Sequence, residues 1–133
     1  MVLVDTYVLL DVLQDDPQWA EWSQRNLESV SLTDSLAINA VIYSELSIAF
    51  ERIEDLESVL SEASLSVEPI PREALFLAGK AFLNYRRRQG SKQGVLPDFY
   101  IGAHAAVSGC AILTRDVARY RTYFPTVNLI SPP

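Results

Sequence analysis

One cysteine and one histidine in 133 residues remove two common ways of holding a small protein together. Cys110 has no internal partner for a disulfide, and Cys110 and His104 are too few to supply a zinc site of His and Cys ligands. Lying between Gly109 and the apolar run Ala111, Ile112 and Leu113, Cys110 is expected to be a small core residue. No stretch approaches the ~20 apolar residues required to span a bilayer as a helix, so no membrane association is expected. Met1 to Leu13 are apolar but carry Asp5 and Asp11, lack an early Lys or Arg, and are not followed by a small-residue cleavage pattern. The chain is therefore expected to act in the cytoplasm. No run is dominated by Gly, Ser, Gln or Pro, which excludes a flexible tail or linker, and no internal repeat is present. Positive charge is also scarce. Lys and Arg number 11 against 17 Asp and Glu, a net charge of −6, which argues against a broadly basic nucleic-acid surface.

Apolar material is plentiful at 49%, enough for one core in a chain of this length, so a single domain over 1–133 is expected. The few cations are concentrated: Arg86, Arg87, Arg88 and Lys92 form one cluster, and Arg115, Arg119 and Arg121 form another near Asp116. Such runs are ordinarily solvated faces.

Hydrophobic spacing sets out the elements. Val2, Leu3 and Val4 read as a strand stopped by Asp5, with Tyr7, Leu10, Val12 and Leu13 continuing at helical spacing. Trp19, Trp22, Leu27 and Val30 mark a second helix, with Pro17 suited to its first turn. Leu36 to Asn39 read as a strand that feeds a helix around Glu45, and Ile53 to Ala63 as another amphipathic helix. Leu65 to Ile70 read as a third strand, Arg72 to about Arg88 as a long helix ended by Gly90, and Gly90 to Gly94 as a loop. Pro97 opens a helix that is apolar nearly all round and is closed by Gly109, the pattern of a buried element. Ala111 to Leu113 and Val127 to Ile130 supply the last strands. The predicted order, β, α, α, β, α, α, β, α, α, β, α, β, implies a parallel sheet covered on both faces, with ligands bound at the carboxyl ends of its strands.

That rule gathers the carboxylates. Asp5 follows the first strand, Asp116 follows the fourth, and Asp98 lies in the first turn of the helix entering it. Glu45 sits some way along its helix and has to reach back over the sheet edge. Taken singly, each has an ordinary explanation: Asp5 and Asp116 as helix caps, Asp98 at a helix N-terminus, Glu45 in solvent. Taken together, several carboxylates cannot share a few ångströms while ionised unless a cation offsets them or some stay protonated. Oxygen-only donors favour Mg2+ or Mn2+, and an ion bound there reverses the local charge enough to admit a phosphodiester.

Val4-Asp5-Thr6, Ser44-Glu45-Leu46, Leu96-Pro97-Asp98 and Thr114-Arg115-Asp116 together resemble the PIN-domain family, specifically its VapC-type toxins. The resemblance runs through essentially the whole chain and is most specific from Leu96 to Ile130. It implies a three-layer α/β/α sandwich with a central parallel sheet of about five strands. It also implies a Mg2+- or Mn2+-dependent endoribonuclease, a cognate VapB-type antitoxin that blocks the active-site groove, and a homodimer. Catalytic and metal-binding roles then fall on Asp5, Glu45, Asp98 and Asp116. Thr6 and Thr114 become supporting residues that orient ligands, and Arg86, Arg87, Arg88, Lys92 and Arg115 become contacts for RNA phosphates or the antitoxin. Tyr7 departs from the pattern, standing where the family more often has Asn or Ser; it reads either as a base-stacking residue or as packing at a helix start. His104 lies six residues after Asp98, about 240° around the helix, and reads as structural. Trp19 and Trp22 read as core or interface. Two other readings are a phospho-accepting receiver domain, which needs an acceptor Asp where this chain has Glu68-Pro69-Ile70-Pro71, and a non-catalytic binding module on the same fold.

Overall fold

The computed structural model describes residues 1–88, 90 and 94–133. Its elements follow the predicted order: β1 (Val2–Val4), α1 (Thr6–Leu13), α2 (Ala20–Ser31), β2 (Leu36–Asn39), α3 (Ala40–Ser47), α4 (Ile53–Glu62), β3 (Leu65–Glu68), α5 (Arg72–Arg87), α6 (Leu96–Ser108), β4 (Ala111–Leu113), α7 (Ala118–Tyr123) and β5 (Leu129–Ile130). The five strands form one parallel sheet in the order β3-β2-β1-β4-β5. From β1 the chain winds outward through β2 and β3, then returns to lay β4 and β5 on the other side. The order reverses between β1 and β4, and the crevice beyond the carboxyl ends of those two strands is where such sheets bind ligands.

Burial explains why the inner strands β1 and β4 are short unbroken apolar runs, whereas the edge strand β3 carries Ser66 and Glu68. Every residue of β1 and β2 is buried, as is required when helices cover both faces. Val2, Leu3 and Val4 pair with Ala111, Ile112 and Leu113 in register, and the pairing runs past the strand ends. The Asp5 amide donates to the Leu113 carbonyl at 2.9 Å, and the Thr114 amide donates to the Ile130 carbonyl at 3.0 Å. Asp5 and Thr114 are therefore brought side by side by backbone hydrogen bonds.

The apolar helix opened by Pro97 is α6, which buries Phe99, Ile101, Gly102, Ala103, His104 and Ala105. Gly102 is there for space, since a Cβ would collide with the Phe124 ring. Gly109 takes the left-handed conformation that ends the helix, and the Cys110 amide closes back on the Ala105 carbonyl at 3.1 Å. Phe99 is the hub of an aromatic cluster, with ring centroids 5.6 Å from Phe82 and from Tyr85, 5.2 Å from Tyr123 and 6.2 Å from Phe124. Complete burial of such a side chain contributes on the order of 3 kcal/mol, and the cluster locks α5, α6 and α7 to one another.

Three boundaries differ from those read in the sequence. The second helix begins at Ala20, because the Asp16 carboxylate accepts the amides of Gln18 and Trp19, each at 2.9 Å, and holds Pro17 in a turn before the helix. β3 stops at Glu68, since Pro69 has no N–H to extend the ladder. β5 is only Leu129–Ile130. Most of the predicted Gly90 to Gly94 loop, including Lys92, lies outside the described residues.

Candidate active site

Asp5 is the centre of the site. It caps α1, its Oδ1 accepting the Thr6 amide at 2.8 Å, while its Oδ2 accepts the Thr114 hydroxyl at 2.8 Å and the Tyr120 hydroxyl at 3.3 Å. The carboxylate is almost wholly withdrawn from water. Burial pushes its pKa up from 3.8 to about 6; the Thr114 and Thr6 hydrogen bonds oppose that rise, and the nearby charges of Asp98 and Glu45 add to it. The same surroundings hold the Tyr120 phenol well above its ordinary range, through burial first and then the charges of Asp5 and Asp98.

Glu45 does reach back over the sheet edge. It lies in the second turn of α3 and accepts the Thr6 hydroxyl at 2.7 Å, so Thr6 bridges the two acids, through its amide to Asp5 and through its hydroxyl to Glu45. Partial burial raises the Glu45 pKa, the Thr6 bond opposes this, and the Asp98 charge raises it further. Asp98, in the first turn of α6, accepts Arg119 Nη1 at 2.7 Å. Asp5, Glu45 and Asp98 thus feel one another's charge, as expected of carboxylates converging on one crevice.

Asp116 is placed differently. Its carboxylate belongs to an exposed residue in the turn after β4, and its backbone joins the site: its amide donates to Thr114 Oγ at 3.1 Å. Thr114 Oγ also lies 3.2 Å from the Asp116 carbonyl, but its proton has the shorter path to the charged Asp5 oxygen. Among the described residues no three His, Cys, Asp or Glu side chains are already drawn to ligating distance. Thr6 holds Glu45 and Arg119 holds Asp98.

Several participants carry no motif and were not assigned to the site from the sequence, Arg119 being read there only as one of the cations near Asp116. Arg119 and Tyr120 come from α7, three and four residues beyond Asp116. Asp11 is 3% exposed and makes a two-pronged ion pair with Arg115, Nε to Oδ2 at 2.9 Å and Nη2 to Oδ1 at 3.2 Å, supported by the Ser23 hydroxyl at 3.0 Å. A carboxylate amid Val8, Leu9 and Val12 was the available signal. The Arg115 guanidinium carbon also lies 5.2 Å from the Tyr7 ring centroid and 5.3 Å from that of Trp19. Tyr7 is 56% exposed, so core packing does not account for it.

The other basic residues lie on the α5 side. Arg86, Arg87 and Arg88 are exposed at the end of α5, with Arg86 over Phe82 at 5.8 Å and Arg88 over Tyr123 at 5.9 Å. His104 is buried. Asn39 caps α3 by accepting the Val41 and Ile42 amides through Oδ1, which leaves its Nδ2 to face His104 Nδ1 at 3.1 Å. That nitrogen therefore accepts, and burial lowers the histidine's pKa, so the ring stays neutral and structural.

Solved structures share this architecture. A chain of the VapBC2 complex from Rickettsia felis, solved with a promoter DNA fragment, is 17% identical, with all of both chains covered and a TM-score of 0.76. A toxin-antitoxin complex from Klebsiella pneumoniae contains a chain 17% identical, covering 100% of this chain and 98% of that one, with a TM-score of 0.72. DNA-bound VapBC from Salmonella typhimurium gives 18% identity, coverage of 98% and 96%, and a TM-score of 0.71. At these identities the likeness is one of fold. No curated protein matches the chain in sequence. The family model for the PIN domain matches residues 2–125, and the chain belongs to the PIN domain family.

Proposed function

We propose that this protein is a metal-dependent endoribonuclease, the VapC-type toxin of a VapBC-type pair, acting in the cytoplasm as a single PIN domain. The observation that carries the reading is the buried Asp5 carboxylate, held against the charges of Glu45 and Asp98 at the strand-order reversal. A carboxylate whose burial, and then its like-charged neighbours, disfavour ionisation is relieved by a divalent cation, and the oxygen-only donors here suit Mg2+ or Mn2+. Asp5, Glu45, Asp98 and Asp116 would hold the ion, directly or through water. When bound, it would acidify a water and polarise the phosphoryl group of RNA. Thr114 and Thr6 keep the Asp5 oxygens oriented, and Thr6 keeps Glu45 aimed at the same crevice. Arg119, paired with Asp98 at 2.7 Å, sets a positive charge at the edge of the crevice. Arg86, Arg87, Arg88 and Lys92 supply positive charge for RNA or the antitoxin.

The antitoxin rests on likeness to chains solved within VapBC complexes. A groove of about 270 Å³ lined by Leu9, Leu13, Leu27, Leu60 and Leu65 offers apolar surface for a protein partner. Homodimerisation follows from family resemblance.

The deciding experiment is cleavage of total RNA, including tRNA and ribosomal RNA, by antitoxin-free protein in Mg2+ or Mn2+, beside a chelated control. Cleavage is expected with metal and not with chelator, and Asp98→Asn is expected to reduce it to the chelated background while keeping the circular dichroism spectrum. A folded Asp98→Asn protein with full activity would remove Asp98 from the chemistry. Metal binding without cleavage of any RNA would favour a binding module.

A further inference from the structure

Asn39 ends β2 with a fully buried polar side chain that does two things at once. Its Oδ1 accepts the Val41 and Ile42 amides, each at 3.1 Å, and so caps α3, while its Nδ2 donates to His104 Nδ1, 3.1 Å away on α6. A cap needs only an oxygen, which Ser supplies as well. The amide nitrogen goes further and pins the first turn of α3 to a second helix. The bond has a fixed polarity, because turning the amide over would set Nδ2 against two backbone N–H groups, donor against donor. Both partners are buried, so neither exchanges the other for water.

The pinned point has a counterpart on the same two helices. Glu45 lies six residues after Asn39, Asp98 lies six residues before His104, and Glu45 feels the charge of Asp98. Since the chain advances from Asn39 to Glu45 while it steps back from His104 to Asp98, α3 and α6 pack antiparallel, with the Asn39–His104 bond at one end of their contact and the two acids at the other. Six residues of helix span about 9 Å. A helix pinned at one end of so short a span has little freedom to slide or turn at the other. Thr6 ties Glu45 to Asp5, and the Asn39–His104 bond ties the helix of Glu45 to that of Asp98.

We propose that the Asn39–His104 hydrogen bond sets the register of α3 on α6, which makes Asn39 a positioning residue for the spacing of Glu45 from Asp98. The proposal rests on the metal-dependent reading above. Small divalent cations hold oxygen ligands at about 2 Å in nearly ideal geometry, so a displaced carboxylate lowers their affinity.

The test is Mn2+ binding by the purified full chain, followed by isothermal calorimetry without RNA. Asn39→Ser keeps a capping oxygen and loses the reach to α6; His104→Leu strands Asn39 Nδ2, whereas His104→Asn offers an amide oxygen in place of Nδ1. Mn2+ affinity should fall about tenfold in Asn39→Ser and His104→Leu and stay within about threefold of wild type in His104→Asn. Circular dichroism and Tm in chelator identify the folded variants, and should Asn39→Ser not fold, the two His104 variants make the same comparison. In a Glu45→Gln background, Asn39→Ser should change the affinity by less than about twofold, because the acid it positions is gone. Folded Asn39→Ser and His104→Leu proteins that bind Mn2+ as wild type does, whatever stability they have lost, would overturn the positioning role and leave the metal centre standing. A tenfold loss that persists in Glu45→Gln would overturn it too, since the bond would then act through another group. A folded wild type that takes up no Mn2+ would overturn the metal-dependent reading and the positioning role with it.

Discussion

At the scale of single residues, Asp5 shows how a sheet fold stores an electrostatic cost. Its neighbours supply three hydrogen bonds, yet burial and two like charges outweigh them, and its pKa stands at about 6. A carboxyl with a raised pKa holds its proton more tightly in the folded state. Its contribution to stability is thus full below 3.8 and is lost as pH rises through about 6. In chelator, the loss amounts to about 3 kcal/mol by pH 7, and Asp5→Asn should remove it. Urea unfolding between pH 4 and pH 7 checks this: wild type is expected to lose stability across that window relative to Asp5→Asn. Parallel curves for the two proteins would mean that Asp5 ionises without penalty.

At the scale of elements, the Asp11–Arg115 pair ties the turn after β4 to α1, and Ser23 brings α2 into the same knot. The Arg115 side chain is 24% exposed but Asp11 only 3%, so removing the arginine leaves a buried carboxylate with one hydroxyl partner. Arg115→Ala should therefore cost about 3 kcal/mol in chemical denaturation, near the lower end for breaking a buried pair. Asp11→Leu combined with Arg115→Met should cost less than Arg115→Ala alone, because no charge is then stranded. Equal losses would show that packing of the arginine stem dominates over the pairing.

At the scale of the molecule, the sheet order places the acids that feel one another, Asp5, Glu45 and Asp98, within one crevice, while burial strips water from Asp5 and in part from Glu45. A cation that binds only the folded chain should raise stability by about 2.7 kcal/mol at a hundredfold excess over Kd. Thermal unfolding with increasing Mn2+ is expected to show a rising Tm in wild type and a flat one in Asp5→Asn. A flat response in wild type would count against the metal centre. No helix among the described residues is long and apolar enough to cross a membrane.

The element order was legible in the chain itself, because β1, β2 and β4 are short, mostly apolar runs ended by Asp, Asn or Thr, β3 is stopped by Pro69, and each helix carries its own period or its own Pro and Gly punctuation. The structural role of His104 was legible too, from its place about 240° around the helix from Asp98. The boundaries at Ala20 and Glu68 were blurred by a side-chain turn at Asp16 and by Pro69, local effects that periodicity does not register. What the sequence alone determined was the address of the acids at strand ends and helix starts. Only the tertiary structure decided their partners. Asp5 meets Thr114, Asp98 meets Arg119, and Asp11 meets Arg115 across 109, 21 and 104 residues of chain. Such pairings follow from which strands lie side by side, a matter of sheet order and packing that no local pattern of residues encodes.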